Sequence, residues 1–337
     1  MVGRPRACYF PGVDDDSFPL YVAGRLAGLP GVEAVTLGGS RAEGTHRPDS
    51  DWDFSIYYRG RFDPQALRDI GWPGEVFEVG GWSKGVFNGG AWLEIDGRRS
   101  DVHYRDLDVV DREIAAAREG RFTIQPLRFH LAGLPSYLVL AELAVKRVLV
   151  GDLPYVPYPA ALRERAPGVW RGQAEAEFGY ARDYYAAAGR LTQCAGLLAR
   201  AASCSAHAVL AARGQWVTNE KTLFTRAGLR EIDEIVAAAR PDPVVLRDVV
   251  DRVRAACSAA LRDAGGPQRP ASRLRNLHGL SGWADAGAQR HGHTPAPVKP
   301  RPNPQREVRV DDRPAGHRRH KKYRFFVELS IDLCHPA

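Results

Sequence analysis

Cysteine is scarce and unpaired in this chain. Cys8, Cys194, Cys204, Cys257 and Cys334 form no Cys-x-x-Cys pair. In a chain of 337 residues that scatter offers neither a disulfide framework nor a thiolate zinc site. It fits reduced cysteine, so a cytoplasmic location is expected. Long apolar runs are missing too. The longest uncharged stretch in the helical half runs from Phe129 to Ala141, and His130, Gly133, Pro135 and Ser136 break it. It falls short of the ~20 apolar residues of a membrane span, so no membrane association is expected. Met1 to Gly12 holds no apolar core of a secretory signal. Lysine is rare: three of the six lie beyond residue 298, and the body keeps Lys84, Lys146 and Lys221 among many arginines. A lysine retained against such a bias is a candidate for a task that needs lysine.

A basic body is also absent. The formal charge is +7, of which +6 falls from Arg290 onward, leaving +1 for the 289 residues before it. A near-neutral body lacks the basic track of a nucleic-acid enzyme, so nucleic acid is not expected as a partner. What remains is a globular composition, 44% hydrophobic and 26% charged, which excludes a wholly disordered, collagen-like or coiled-coil chain. At roughly 150 residues per domain the length allows two domains.

The first of them, residues 1–105, mixes strands, short helices and turns. Asp14 to Ser17 offers caps for a helix to about Ala27, and Val32 to Leu37 reads as a strand ended by Gly38-Gly39-Ser40. Trp52 to Tyr58 alternates: Trp52, Phe54, Ile56 and Tyr58 on one face, Asp51, Asp53, Ser55 and Tyr57 on the other. Pro64 to Ile70 suggests a short helix. Trp92 to Ile95, Asp96-Gly97 and Arg99 to Tyr104 predict a hairpin with a type I′ turn. Residues 106–265 read as a helical bundle: Ser136 could cap a helix to Val150, Trp170 to Ala212 forms one long helix or two, and Pro243 opens another to Ala264. Residues 266–337 turn to Gly, Pro, His and Arg, with five prolines between Thr294 and Pro304, and read as a disordered basic tail.

The informative stretch is Gly38-Gly39-Ser40, ten residues, then Asp51-Trp52-Asp53-Phe54. Glycines let the backbone approach a ligand, and successive amides at a helix start attract phosphate, with the Ser40 hydroxyl as a further donor. Asp51 and Asp53 leave the same strand face. Two adjacent carboxylates repel unless a cation sits between them, and oxygen ligands beside phosphates suit Mg²⁺. Asp101, with His103, faces away from the Val102 and Tyr104 side of the hairpin. If that strand lies beside Trp52 to Tyr58, three carboxylates flank a phosphate cradle, as two-metal nucleotidyl transfer requires.

The pattern Leu37-Gly38-Gly39-Ser40…Asp51-Trp52-Asp53-Phe54, with a third acid in Arg99-Ser100-Asp101-Val102-His103-Tyr104, resembles the DNA polymerase β-like nucleotidyltransferase superfamily. A small mixed domain followed by a bundle looks most like its kanamycin nucleotidyltransferase branch. The resemblance implies an α+β chain: a mixed-sheet nucleotidyltransferase domain, an all-α bundle and a tail. It implies two Mg²⁺ ions on Asp51, Asp53 and Asp101, and an NTP held at Gly39 and Ser40; Arg41, directly after the serine, and Lys221, at a helix start, are further candidates for its phosphates, with a plain surface lysine as the alternative for Lys221. An NMP, expected to be AMP, would pass to a hydroxyl of a small molecule such as an aminoglycoside-like compound. The rival reading is an antitoxin-like or regulatory protein that binds or nucleotidylates a protein partner.

Other residues have competing roles. Glu142, Glu94 and His103 are candidates for a general base. Lys146 follows Glu142 by four residues and fits an ion pair with it. Trp52, Trp82, Trp92 and Trp216 read as core before stacking surface. Arg200 and His207 meet the loose pattern of HEPN-type ribonuclease bundles, a match that an arginine-rich chain produces by chance.

Overall fold

A computed structural model describes residues 14–83, 85–127 and 130–265. The expected tail lies outside the described residues. The first part runs α1 (Phe18–Ala27), β1 (Val32–Leu37), α2 (Gly39–Ala42), β2 (Trp52–Tyr58), α3 (Pro64–Arg68), β3 (Gly74–Val76), β4 (Gly90–Ile95) and β5 (Arg98–Asp106). Next come α4 (Leu107–Arg118), β6 (Ile124–Leu127), β7 (His130–Pro135), α5 (Leu138–Val145) and β8 (Arg147–Val150). The helical part is α6 (Ala160–Tyr180), a π-helical turn (Ala181–Ala186), α7 (Leu191–Ala212), α8 (Leu223–Ala227), α9 (Ile232–Ala237) and α10 (Pro243–Ala264). The fold is mixed α+β.

Six strands form one sheet in the order β3-β4-β5-β2-β1-β8, while β6 and β7 pair separately. Only β2 and β5 run parallel in the larger sheet; its other pairs are antiparallel. The β4–β5 hairpin closes on Asp96 and Gly97, both at positive φ, as the Asp-Gly pair predicts.

The alternation in β2 divides two cores. Trp52, Phe54, Ile56 and Tyr58 join Phe18, Val22 and Leu26 of α1 and Leu67 of α3 beneath one face. Each such side chain stabilises the fold by about 1.5–3 kcal/mol when buried. Tyr57 and Ala34, on the opposite face, join Trp170, Phe178, Leu198, Val209 and Val250 of the helices. The bundle therefore packs on the sheet face from which Asp51 and Asp53 project.

The structure departs from the sequence expectation between residues 106 and 150, which contain three strands as well as helices. Ser136 does not cap a helix to Val150. Its hydroxyl accepts the Thr123 N–H at 3.2 Å, and α5 stops at Val145. Lys146 then turns extended, and residues 147–150 become the outer strand against β1. The pull is tertiary, since β1 would otherwise present an open edge. The span from Trp170 to Ala212 is interrupted by the π-helical turn and a break at Gly189. Helix α7 is long and apolar enough to cross a membrane by length and composition, but most of it is buried inside the protein. Arg200 splits its uncharged run into two shorter ones.

Candidate active site

Backbone geometry brings the glycine turn against the acidic strand. Gly38 donates its N–H to the Asp53 carbonyl at 2.7 Å. Gly39 has φ +59°, a left-handed conformation that glycine adopts without strain. A Cβ built there would lie 1.9 Å from Asp53 Oδ2. The turn and the carboxylate are thus as close as a glycine permits. Ser40 is the second residue of α2 and is partly exposed.

Strand pairing supplies the second acid. Asp53 lies opposite Asp101 in the parallel β2–β5 register. Side chains alternate on both strands, so Asp51, Asp53, Asp101 and His103 share the face toward the bundle. Arg99 is one position before the Trp52–Ser100 pair and so stands beside Asp51. Its Nε lies 2.7 Å from Asp51 Oδ1. That charge contact is not aligned as a hydrogen bond, and Oδ1 remains buried without a donor.

Electrostatics mark Asp53. Burial raises its carboxyl, and Asp51 and Glu142 add to the effect. Lys221 and Arg41 pull the other way, and the net value is about 6. Lys221 comes from the turn before α8, so the helical part contributes positive charge to the acidic face. Arg41 is already engaged: Nη2 and Nε donate to the Ser50 carbonyl at 2.9 and 3.3 Å, and the guanidinium lies 3.9 Å above the Trp52 ring. Its charge acts on Asp53 while its donors fasten the loop.

The candidate bases separate clearly. Glu142 receives Arg105 Nε on Oε2 at 2.7 Å and Nη2 on Oε1 at 2.6 Å. Burial alone would raise the Glu142 carboxyl, but the Arg105 charge and hydrogen bonds outweigh it and hold it below the usual range. Its oxygens are committed to a structural pair. The expected Glu142–Lys146 pair does not form, because α5 ends between them. Lys146 Nζ instead donates to the Pro154 carbonyl at 3.2 Å. Burial lowers the Lys146 amine to about 8. His103 is packed among Trp82 and Phe87, and burial, with Arg105, lowers it to about 4, so the ring is neutral at pH 7. Glu94 is exposed on β4, opposite Arg99.

The tryptophans divide. Trp52 is core, whereas Trp82 and Trp92 are partly exposed and stack with centroids 5.9 Å apart. Trp92 is the register partner of Asp101. Arg200 pairs with Glu177 at 2.9 Å, and His207 is buried against the Trp170 ring at 4.5 Å. Those partners give both residues structural roles.

The sequence reading missed Glu220. Its Oε2 accepts the Leu131 N–H at 2.6 Å and its Oε1 the Ala132 N–H at 3.1 Å. His207 Nε2 lies 3.4 Å from the same Oε1. Glu220 ties the turn carrying Lys221 to β7. Nothing in the local sequence points to this, since both hydrogen-bond donors are almost 90 residues away.

Among the described residues, no three of His, Cys, Asp and Glu converge as a ready-made metal cage. The donor set nevertheless fits a hard divalent cation. Its carboxylates share one face, buried Asp51 Oδ1 has no aligned hydrogen-bond donor, and burial, with repulsion from Asp51, raises Asp53.

Residues 22–112 match the model of the nucleotidyltransferase domain family, a segment that contains Gly39, Ser40, Asp51, Asp53 and Asp101. No curated protein is similar to the chain by sequence. Among solved structures, a nucleotidyltransferase-like protein from Exiguobacterium sibiricum 255-15 is 8% identical, with a TM-score of 0.36 over 74% of this chain and 76% of that one. The matched segment spans β1 to β5, with the glycine turn and the three aspartates.

Proposed function

We propose that the protein is a metal-dependent nucleotidyltransferase that moves an NMP, AMP in the first instance, from an NTP to a hydroxyl of a small molecule and releases pyrophosphate. The observation that carries this is the close approach of the Gly38–Gly39 turn to Asp53, with Asp101 beside it in register. A phosphate cradle and two carboxylates on one face are what nucleotidyl transfer needs, whereas a generic acidic turn needs neither.

The residues divide the work. The amides and hydroxyl of Gly39 and Ser40 bind the β- and γ-phosphates. Lys221 neutralises phosphate charge from the helical side as a compact point charge. Asp51, Asp53 and Asp101 would hold two Mg²⁺ ions, which would lower the pKa of the acceptor hydroxyl and neutralise the departing pyrophosphate. Asp101 lies farther from the cradle than Asp53 across the strand order, so the acceptor hydroxyl lies at the Asp101 side. His103 shares that face two residues along β5, but burial and Arg105 make its imidazole a weak base, so it is not the proton acceptor. The bundle covers this face and forms the other wall of the acceptor cleft. An aminoglycoside-like compound of the kanamycin branch is the first acceptor to try. The near-neutral body supports a small molecule over RNA.

The test is incubation of the purified protein with each labelled NTP, Mg²⁺ and pools of hydroxyl acceptors, scoring pyrophosphate release. Release that requires an acceptor and vanishes in Asp53→Asn and Asp101→Asn supports the reading. Release unaffected by either substitution refutes it.

A further inference from the structure

Arg99 sits where a cation would otherwise be wanted, and its role rests on the metal-dependent reading above. We propose that Arg99 is a built-in counter-ion of Asp51 that a divalent cation must displace before the site can load.

Arg99 lies at the start of β5, two residues before Asp101 and on the same face. Its Nε contacts Asp51 Oδ1 at 2.7 Å, and its Nη2 donates to the Asp49 carbonyl at 2.7 Å. The contacted oxygen has no aligned donor, so the guanidinium supplies charge without satisfying the lone pair. A cation in the same place would supply both.

Loop fastening does not require the Asp51 contact. Arg41 already holds the Ser50 carbonyl and stacks on Trp52, one residue to either side of Asp51. Nor is Arg99 locked by packing: its side chain is 59% exposed, against 29% for Asp51. It can swing into solvent at little packing cost while Asp51 stays. Two cations on one carboxylate repel, so Arg99 and a metal ion exclude one another from Oδ1. The expected consequence is weak cation binding to the nucleotide-free protein, with the NTP's own charge helping to bring the ion in.

The experiment titrates the full chain, without nucleotide, with Mn²⁺ and reads free Mn²⁺ by electron paramagnetic resonance. Arg99→Gln keeps a donor for the Asp49 carbonyl but removes the charge. It should bind Mn²⁺ about fivefold more tightly than the wild type, the size expected for losing a partly exposed ion pair. Arg99→Lys keeps the charge and should bind as the wild type does; Asp51→Asn should bind more weakly. Melting temperatures within a few degrees of wild type show that the variants are folded. If Arg99→Gln matches or falls below the wild type while Asp51→Asn weakens binding, the counter-ion role is wrong and the metal site stands. If Arg99→Lys tightens binding as much as Arg99→Gln, charge is not the cause and the proposal fails. If none of the four proteins binds Mn²⁺, the metal reading and this proposal fall together.

Discussion

Gly39 offers the sharpest separation of site chemistry from fold stability. Alanine at this position meets two problems. The left-handed backbone, φ +59°, costs a Cβ-bearing residue about 1–2 kcal/mol. The Cβ would also stand 1.9 Å from Asp53 Oδ2 and 2.7 Å from its Cγ, so the carboxylate must leave its place. Gly44 provides the control. It has φ +70° and nothing within 4 Å of a built Cβ, so Gly44→Ala carries the backbone strain alone. For a folded body of this size each kcal/mol lowers the melting temperature by about 2–4 °C. Both variants should therefore melt a few degrees below wild type. Only Gly39→Ala should lose turnover, by about 100-fold, the loss expected when a reacting group is misplaced by an ångström. Differential scanning fluorimetry and pyrophosphate release measure the two effects on the same samples. If Gly39→Ala keeps turnover within threefold of Gly44→Ala, the glycine's approach to Asp53 has no part in the chemistry.

Three further outcomes are expected. The folded pKa of Asp53, about 6, lies above its ordinary 3.8, so its stabilising contribution is complete below pH 3.8 and is lost as pH rises through 6. Denaturant titrations in EDTA should show that decline, Asp53→Asn should flatten it, and an unchanged slope in the variant would refute the assignment. Lys221→Ala should raise the NTP Kd about tenfold, roughly 1.4 kcal/mol, without a change in melting temperature, and Lys221→Arg should recover part of it; calorimetric titration decides. Glu142→Ala leaves Arg105, only 1% exposed, without its partner. Such a break costs about 3–5 kcal/mol in urea unfolding, whereas replacing both residues by apolar ones of similar volume should restore much of it.

The acidic face was readable because its cause is local. Alternation in Trp52 to Tyr58 fixes which side chains share a side, and Asp-Gly fixes the hairpin that carries Asp101. The strand order was not readable, since the parallel pairing of β2 with β5 joins segments almost 50 residues apart. Residues 147–150 illustrate the limit. Their apolar character continues that of α5, and only the waiting edge of β1 turns them into a strand. Arg99 and Glu220 were passed over for the same reason. Each is an ordinary charged residue in sequence, and its meaning comes from Asp51 or from the amides of β7. Arg105 shows the opposite error: helix spacing predicts a Glu142–Lys146 pair, but a buried guanidinium on the neighbouring sheet takes the carboxylate.

Strand β8 has a consequence for how such proteins can be taken apart. The recognisable segment ends at residue 112, yet the sheet it builds is completed by residues 147–150, and its second face is closed by Trp170 and the helices around it. A fragment cut at residue 112 would leave β1 as an open edge and uncover Tyr57 and Ala34, inviting association between copies. The segment is therefore not an excisable cassette. Grafting it onto another bundle would require re-matching that buried seam, and the two halves should unfold as one cooperative transition.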